Sequence, residues 1–281
     1  MRVIVAKHAG ICYGVERALN LAGEAAAAGG EVRTLGPLIH NPQAVQALRE
    51  QGVEVAAGVD EVSGGTLVIR SHGVDPAVIA LAEERGLTVV DATCPFVSTA
   101  QRHAADLAQQ GYSVVIVGEA EHPEVEGILA HAGGHALIVQ RAADLPAKVP
   151  SRRIGVVVQT TQSPSRLEEV VAALLPRVTE LRVFNTICSA TAQRQKAADE
   201  LAREVDVMVV VGGYNSGNTT RLAEICQAVN DRVHHVETAA ELDLAWFEGA
   251  SVVGVTGGAS TPAEQIRSVI AAIEALGSND E

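Results

Sequence analysis

Apolar and polar positions follow one order many times along this chain: a short apolar run, a polar or glycine-containing loop, then a helical pattern. The runs include Val3-Ile4-Val5-Ala6, Val68-Ile69, Leu87-Thr88-Val89-Val90, Val115-Ile116-Val117, Val156-Val157-Val158, Leu181-Arg182-Val183-Phe184, Val209-Val210-Val211 and Val253-Gly254-Val255. Strands that alternate with helices indicate βαβ units and parallel sheets, so the fold class is α/β. The periodicity predicts helices over Gly14–Ala28, Pro42–Gln51, Pro76–Arg85, Pro95–Gln110, Pro164–Leu175, Ala190–Glu204, Asn218–Val229 and Pro262–Leu276. Several of these open at proline, the favoured first helical position.

The loops sort into three sets. The first holds His40-Asn41-Pro42, Ser71-His72-Gly73 and Cys94; the second His122-Pro123-Glu124, Gln159-Thr160-Thr161 and Cys188. The third holds Asn215-Ser216-Gly217-Asn218 and Ala259-Ser260-Thr261-Pro262 but no cysteine of its own. The N-terminal run ending at Cys12 completes that set if it packs into the last part of the chain. The pattern is therefore a structural repeat of two polar loops plus a cysteine loop, with little sequence identity between copies. It divides the chain into α/β domains over 14–94, 95–187 and 188–281 with 1–13. Functional loops of parallel units lie at the carboxyl ends of strands. All nine loops are then expected to face one central cavity.

Composition narrows the picture. Aromatics are only 2% of the 281 residues against 47% hydrophobic overall, so the core must be Val, Leu, Ile and Ala, as in strands buried on both faces. The formal charge of −13 with no Lys/Arg block argues against nucleic acid as a partner. No apolar run is long enough for a membrane span, and Val3–Ala6 is too short for a signal peptide, which gives a cytoplasmic expectation. Four cysteines do not make a disulfide framework and in the cytosol read as metal ligands or plain thiols.

Cys12, Cys94 and Cys188 each stand where a strand-like run passes into a helix. A helix N-terminus favours a thiolate. Three thiolates can hold an iron–sulfur cluster with one iron left open to an oxygen ligand; on spacing alone, three buried thiols explain the pattern equally well. Cys226, inside Leu222-Ala223-Glu224-Ile225-Cys226, reads as core. Zinc is a weaker use of the thiols, because close CxxC or HxxxH pairs are missing. His40, His72 and His122 occupy equivalent loops and can donate to phosphate oxygens, whereas His8, His103, His131, His135, His234 and His235 read as surface or structural. Ser216, Gly217, Asn218 and Ser260 offer donors ahead of helices, either for a phosphate or for ordinary capping. Glu124 reads either as a proton donor beside an anion site or as a first-turn glutamate, and Thr160 either as its relay or as a turn residue.

Taken together these segments resemble the LytB/IspH family of 4-hydroxy-3-methylbut-2-enyl diphosphate reductases. The matching stretches run in family order from Ala9-Gly10-Ile11-Cys12-Tyr13-Gly14-Val15 through Asp91-Ala92-Thr93-Cys94-Pro95, His122-Pro123-Glu124-Val125-Glu126-Gly127 and Ile187-Cys188-Ser189-Ala190-Thr191 to Gly257-Gly258-Ala259-Ser260-Thr261-Pro262. The resemblance implies a trefoil-like fold of three pseudo-threefold-related α/β domains. It also implies one [4Fe–4S] cluster per chain on Cys12, Cys94 and Cys188. His40, His72, His122, Ser216, Asn218 and Ser260 match the diphosphate-binding positions, Glu124 the proton donor, and Thr160 a residue near the substrate hydroxyl. The implied reaction reductively dehydroxylates an allylic diphosphate to isopentenyl and dimethylallyl diphosphate, the last step of the non-mevalonate pathway. Ferredoxin or flavodoxin would supply electrons, and no membrane or nucleic acid takes part. Ile11 stands where the family usually has an aromatic, Gly217 where it often has serine, and Glu119 and Glu121 add charge before His122. A non-catalytic iron–sulfur sensor of redox state or diphosphate, and a zinc hydrolase of a phosphorylated substrate, are the other classes the residues leave open.

Overall fold

The computed structural model describes residues 1–277. Among them are twelve strands, all in parallel pairings, arranged as separate four-stranded sheets. The first sheet contains β2 (Val32–Leu35), β3 (Val53–Ala56), β4 (Thr66–Ile69) and β5 (Thr88–Asp91), in the order β3-β2-β4-β5. The second contains β6 (Ser113–Val117), β7 (Ala136–Val139), β8 (Arg153–Val158) and β9 (Glu180–Val183), ordered β7-β6-β8-β9. The third joins β1 (Arg2–Val5) to β10 (Val207–Val211), β11 (Val233–Val236) and β12 (Val252–Gly257), ordered β1-β12-β10-β11. The N-terminal strand β1 thus takes the edge place that β5 and β9 take in their own sheets, with Val3 opposite Val253 and Val5 opposite Val255.

Burial follows the apolar runs. All five residues of β10, Val-Met-Val-Val-Val, are buried, as a central parallel strand covered on both faces requires. The edge strand β5 instead shows exposed ends and half-buried middle positions. By contact density the chain forms two compact units. One is 1–15, 40–44 and 189–281; the other is 16–39 and 45–188 and holds the first two sheets.

The predicted helices are present with ends shifted by one or two residues: α1 (Tyr13–Ala27), α2 (Pro42–Glu50), α3 (Pro76–Glu84), α4 (Pro95–Gln109), α6 (Pro164–Leu174), α7 (Ser189–Ala202), α8 (Gly217–Gln227) and α9 (Ala263–Gly277). The helix α5 (Pro123–His131) has no counterpart among those expected. Its N-cap is His122, whose Nδ1 accepts from the Glu124 amide at 3.1 Å. Its Pro123 is the same first-position proline that opens α2, α3, α4 and α6, and it agrees with the reading of Glu124 as a first-turn residue. No described helix is long and apolar enough to cross a membrane.

Close helix–strand packing depends on Gly155 in β8. A Cβ there would lie 2.5 Å from a methyl of Leu107 in α4, and Leu107 is fully buried. Leu107→Ala should cost about 2–5 kcal/mol. Gly155→Ala should also destabilise, and the double variant should lose less than the two single losses combined, because the smaller side chain makes room. Urea unfolding of the four proteins measures this; strict additivity would contradict the contact.

Candidate functional site

In each sheet the strand order reverses between the two central strands, β2/β4, β6/β8 and β10/β12. Beyond the carboxyl ends of such strands lies the usual ligand crevice of an open parallel sheet. The loops leaving these six strands carry His40, His72, His122, Thr160, Ser216 and Ser260.

The cysteines sit beside these loops through one repeated hydrogen bond. The Cys12 N–H donates to the Ala259 carbonyl at 3.0 Å, Cys94 to Ser71 at 2.9 Å and Cys188 to Thr160 at 3.1 Å. Ala259, Ser71 and Thr160 follow β12, β4 and β8, the strands paired with β1, β5 and β9. Each of the three cysteines is half-buried and directly precedes a helix, α1, α4 or α7. Further contacts hold their loops. Arg17 donates to the carbonyls of Thr93 at 3.1 Å and Asp91 at 3.3 Å, ahead of Cys94. Arg194, 3% exposed, donates from Nη2 to the Gly10 carbonyl at 2.8 Å, ahead of Cys12. The Thr186 hydroxyl accepts from the Val158 N–H at 2.9 Å, ahead of Cys188. Sequence reasoning missed these residues. An arginine on a helix reads by default as surface, and only the tertiary fold reveals its carbonyl partners.

Cys226 belongs elsewhere. It is fully buried between α7 and α8, its thiol donates to the Ala198 carbonyl at 3.7 Å, and burial with the nearby Asp199 pushes it up to about 12. The histidines read as structural also have local roles. His103 stacks on Phe184 at 3.9 Å, His234 stacks on Trp246 at 4.0 Å, and His131 and His235 bond to the carbonyls of Gly127 and Gly212.

Of the remaining candidates, His72, His122, Glu124 and Thr160 lie in the unit with Cys94 and Cys188. The rings of His72 and His122 meet edge to face with centroids 5.5 Å apart. Because His122 Nδ1 accepts the Glu124 amide, its neutral ring carries the proton on Nε2, which makes that atom a donor. Gly73, at φ +71°, turns the chain after His72, and a Cβ there would strike the Gln101 amide. Glu124 is 2% exposed. Its Oε1 accepts the Thr160 N–H at 2.6 Å and its Oε2 the Thr160 hydroxyl at 2.9 Å. Burial pushes the carboxyl up to about 7, assisted by the charge of Glu119 and opposed by the two Thr160 hydrogen bonds.

The other unit holds Cys12, His40, Ser216, Gly217, Asn218 and Ser260. Ser216 is the N-cap of α8, its Oγ accepting from the Thr219 N–H at 3.3 Å. Gly217 opens the helix. Asn218 is 4% exposed, and both polar atoms of its side chain are buried without a hydrogen-bond partner. Leaving an amide in that state costs about 1–3 kcal/mol unless a ligand or water completes it. The Ser260 hydroxyl donates to the His40 carbonyl at 3.0 Å.

A model of the LytB protein family matches residues 3–274. The chain belongs to the LytB family. It is 54% identical over 262 residues to the 4-hydroxy-3-methylbut-2-enyl diphosphate reductase of Pelobacter propionicus, covering 93% of this chain and 94% of that protein. It is also 54% identical over 277 residues to the reductase of the same name from Citrifermentans bemidjiense, covering 98% of each. Among solved structures, that of (E)-4-hydroxy-3-methyl-but-2-enyl diphosphate reductase, described as the terminal enzyme of the non-mevalonate pathway, superposes with a TM-score of 0.73 at 43% identity. The match covers 98% of this chain and all of that one. The expected LytB membership and the parallel α/β fold are both borne out.

The Glu124 geometry has a consequence for stability. An unfolded glutamate titrates near 4.5 and the folded one near 7, so as pH rises the unfolded chain loses its proton first. Ionisation therefore favours unfolding. Stability should fall between about pH 4.5 and 7, with a total of about 3 kcal/mol lost above that window. Glu124→Gln removes the titration and should flatten this part of the profile. Thermal unfolding across pH measures it, and an equally steep fall in the variant would contradict the assignment.

Proposed function

We propose that this chain is a 4-hydroxy-3-methylbut-2-enyl diphosphate reductase, converting its allylic diphosphate substrate to isopentenyl and dimethylallyl diphosphate. The observation that carries the reading is Glu124, a buried acid with its carboxyl raised to about 7 and both oxygens on Thr160. A carboxyl that holds its proton near neutrality can deliver it to a departing hydroxyl.

The division into three domains at 14–94, 95–187 and 188–281 with 1–13 is part of this proposal. So is a [4Fe–4S] cluster on the thiolates of Cys12, Cys94 and Cys188. The fit is supported by the donor chemistry, since thiolates are the usual iron–sulfur ligands, and by the same backbone bond behind each cysteine. Such a group supplies electrons and a Lewis acid. Ferredoxin or flavodoxin is the proposed electron donor, in the cytoplasm.

The protein's own residues bind and move protons. The diphosphate is held by neutral donors: the imidazoles of His40, His72 and His122, the hydroxyls of Ser216 and Ser260, the Gly217 backbone N–H and the Asn218 amide at the start of α8. Asn218 then gains the partners it lacks. When Glu124 carries its proton, the carboxyl donates to the Thr160 Oγ and releases the threonine's own O–H to point onward. Thr160 thereby relays acidity to the substrate's C4 hydroxyl, which leaves as water. The C4–O bond breaks with uptake of the two electrons that the ferredoxin or flavodoxin donor supplies, and a second proton on the resulting allylic fragment gives the two products. Gly217 removes one side-chain donor from the α8 start, so more of the binding falls to Ser216 and Asn218.

Glu124→Gln should keep substrate binding and lower turnover with a strong reductant by a factor on the order of 10²–10⁴. Wild-type kcat/KM should fall as pH rises above about 7, where Glu124 loses its proton. Near-normal turnover in the variant would remove Glu124 from the role. For the thiols, serine at 12, 94 or 188 should abolish or alter the visible and EPR spectra of anaerobically prepared protein. Cys226→Ser should leave them unchanged, and zinc without iron and sulfide in the preparation would contradict the cluster.

A further inference from the structure

Residues 40–44 group by contact with 1–15 and 189–281, although the strands before and after them in sequence, β2 and β3, do not. His40 is therefore held where it is by something beyond its own chain neighbours. One fastening is the Ser260 hydroxyl on the His40 carbonyl. The other runs through Asn41, which is 1% exposed. Its Oδ1 is already committed, accepting the Ala44 N–H at 2.9 Å near the start of α2. Its Nδ2 donates at 3.1 Å to Oε1 of Gln265 in α9. The Nε2 of Gln265 in turn donates to the carbonyl of Glu237, directly after β11. Gln265 thus uses both ends of its amide to tie Asn41 to the end of a core sheet. Only a side chain with a donor and an acceptor at that reach can make both bonds.

We propose that Gln265 is a positioning residue for His40: it fixes the histidine where the diphosphate is bound without touching the substrate. The proposal rests on the reading of His40 as a diphosphate ligand. A preorganised donor binds without paying to order itself, so loosening it weakens binding more than chemistry. Gln265→Met keeps the length and removes both hydrogen bonds. It should raise KM for the allylic diphosphate, and weaken binding of inorganic diphosphate, by about fivefold to tenfold. The same variant should leave kcat within about twofold. Gln265→Ala, a replacement that a helix accepts readily, should do the same.

A double-mutant cycle with His40→Ala separates positioning from general support. In the His40→Ala background, the Gln265 substitution should change KM and the diphosphate Kd by less than about twofold, because the group it positions is gone. An equal effect in both backgrounds, or an unchanged KM and Kd in the single variants, would overturn the role of Gln265. The failure of the wild type to reduce the substrate would instead overturn the proposed reaction. The calorimetric diphosphate Kd would still test whether Gln265 acts through His40.

Discussion

The carboxyl of Glu124 is shut away from water, and what it has in place of water is Thr160. Both oxygens of the acid meet that one residue, through its backbone N–H and its hydroxyl. Two accepted hydrogen bonds favour the ionised form, yet burial outweighs them and leaves the group at about 7. That balance is set by packing. Glu124 stands in the first turn of α5, and its neighbours Val125 and Ile128 are fully buried against β6 and β8, so the acid cannot swing out to solvent. The same turn places His122 at the cap, where a backbone N–H occupies its Nδ1. One helix start therefore determines the state of an acid and the tautomer of a histidine.

The surrounding architecture repeats a single solution. A parallel sheet whose strand order reverses at its centre leaves two loops at the carboxyl ends of neighbouring strands, and each sheet places polar residues there. The edge strand beside them delivers a cysteine, tied by its amide to the nearer loop. The chain closes the third copy with its own first strand, as the pairing of β1 with β12 records. The copies differ in the side chains they carry at these loops: histidine after β2, β4 and β6, threonine after β8, serine after β10 and β12.

Much of this was legible in the chain. Runs such as Val209-Val210-Val211 show buried parallel strands, and proline at a helix start marks Pro42, Pro76, Pro95 and Pro164. The candidate loops could be grouped because their residue types recur after strands. What stayed hidden depends on tertiary contact. The α5 start carries that same proline signal at Pro123, while the role of His122 is hidden, because a histidine there reads as a ligand and the structure shows it as the N-cap. Ser216 could be read as cap or donor, and the structure shows the cap, while Asn218 beside it has no internal partner. The supports Arg17, Arg194 and Gln265 carry no sequence signal, because a polar residue on a helix declares nothing about a carbonyl or amide far away in the chain.

The most direct test of the account is the titration of Glu124 itself. Infrared difference spectra of wild type against Glu124→Gln, recorded across pH, isolate the carbonyl band of that one carboxylic acid. The account predicts a protonated band that persists through mildly acidic pH and disappears with a midpoint near 7. A carboxylate already ionised above the ordinary glutamate value of 4.5 would contradict it.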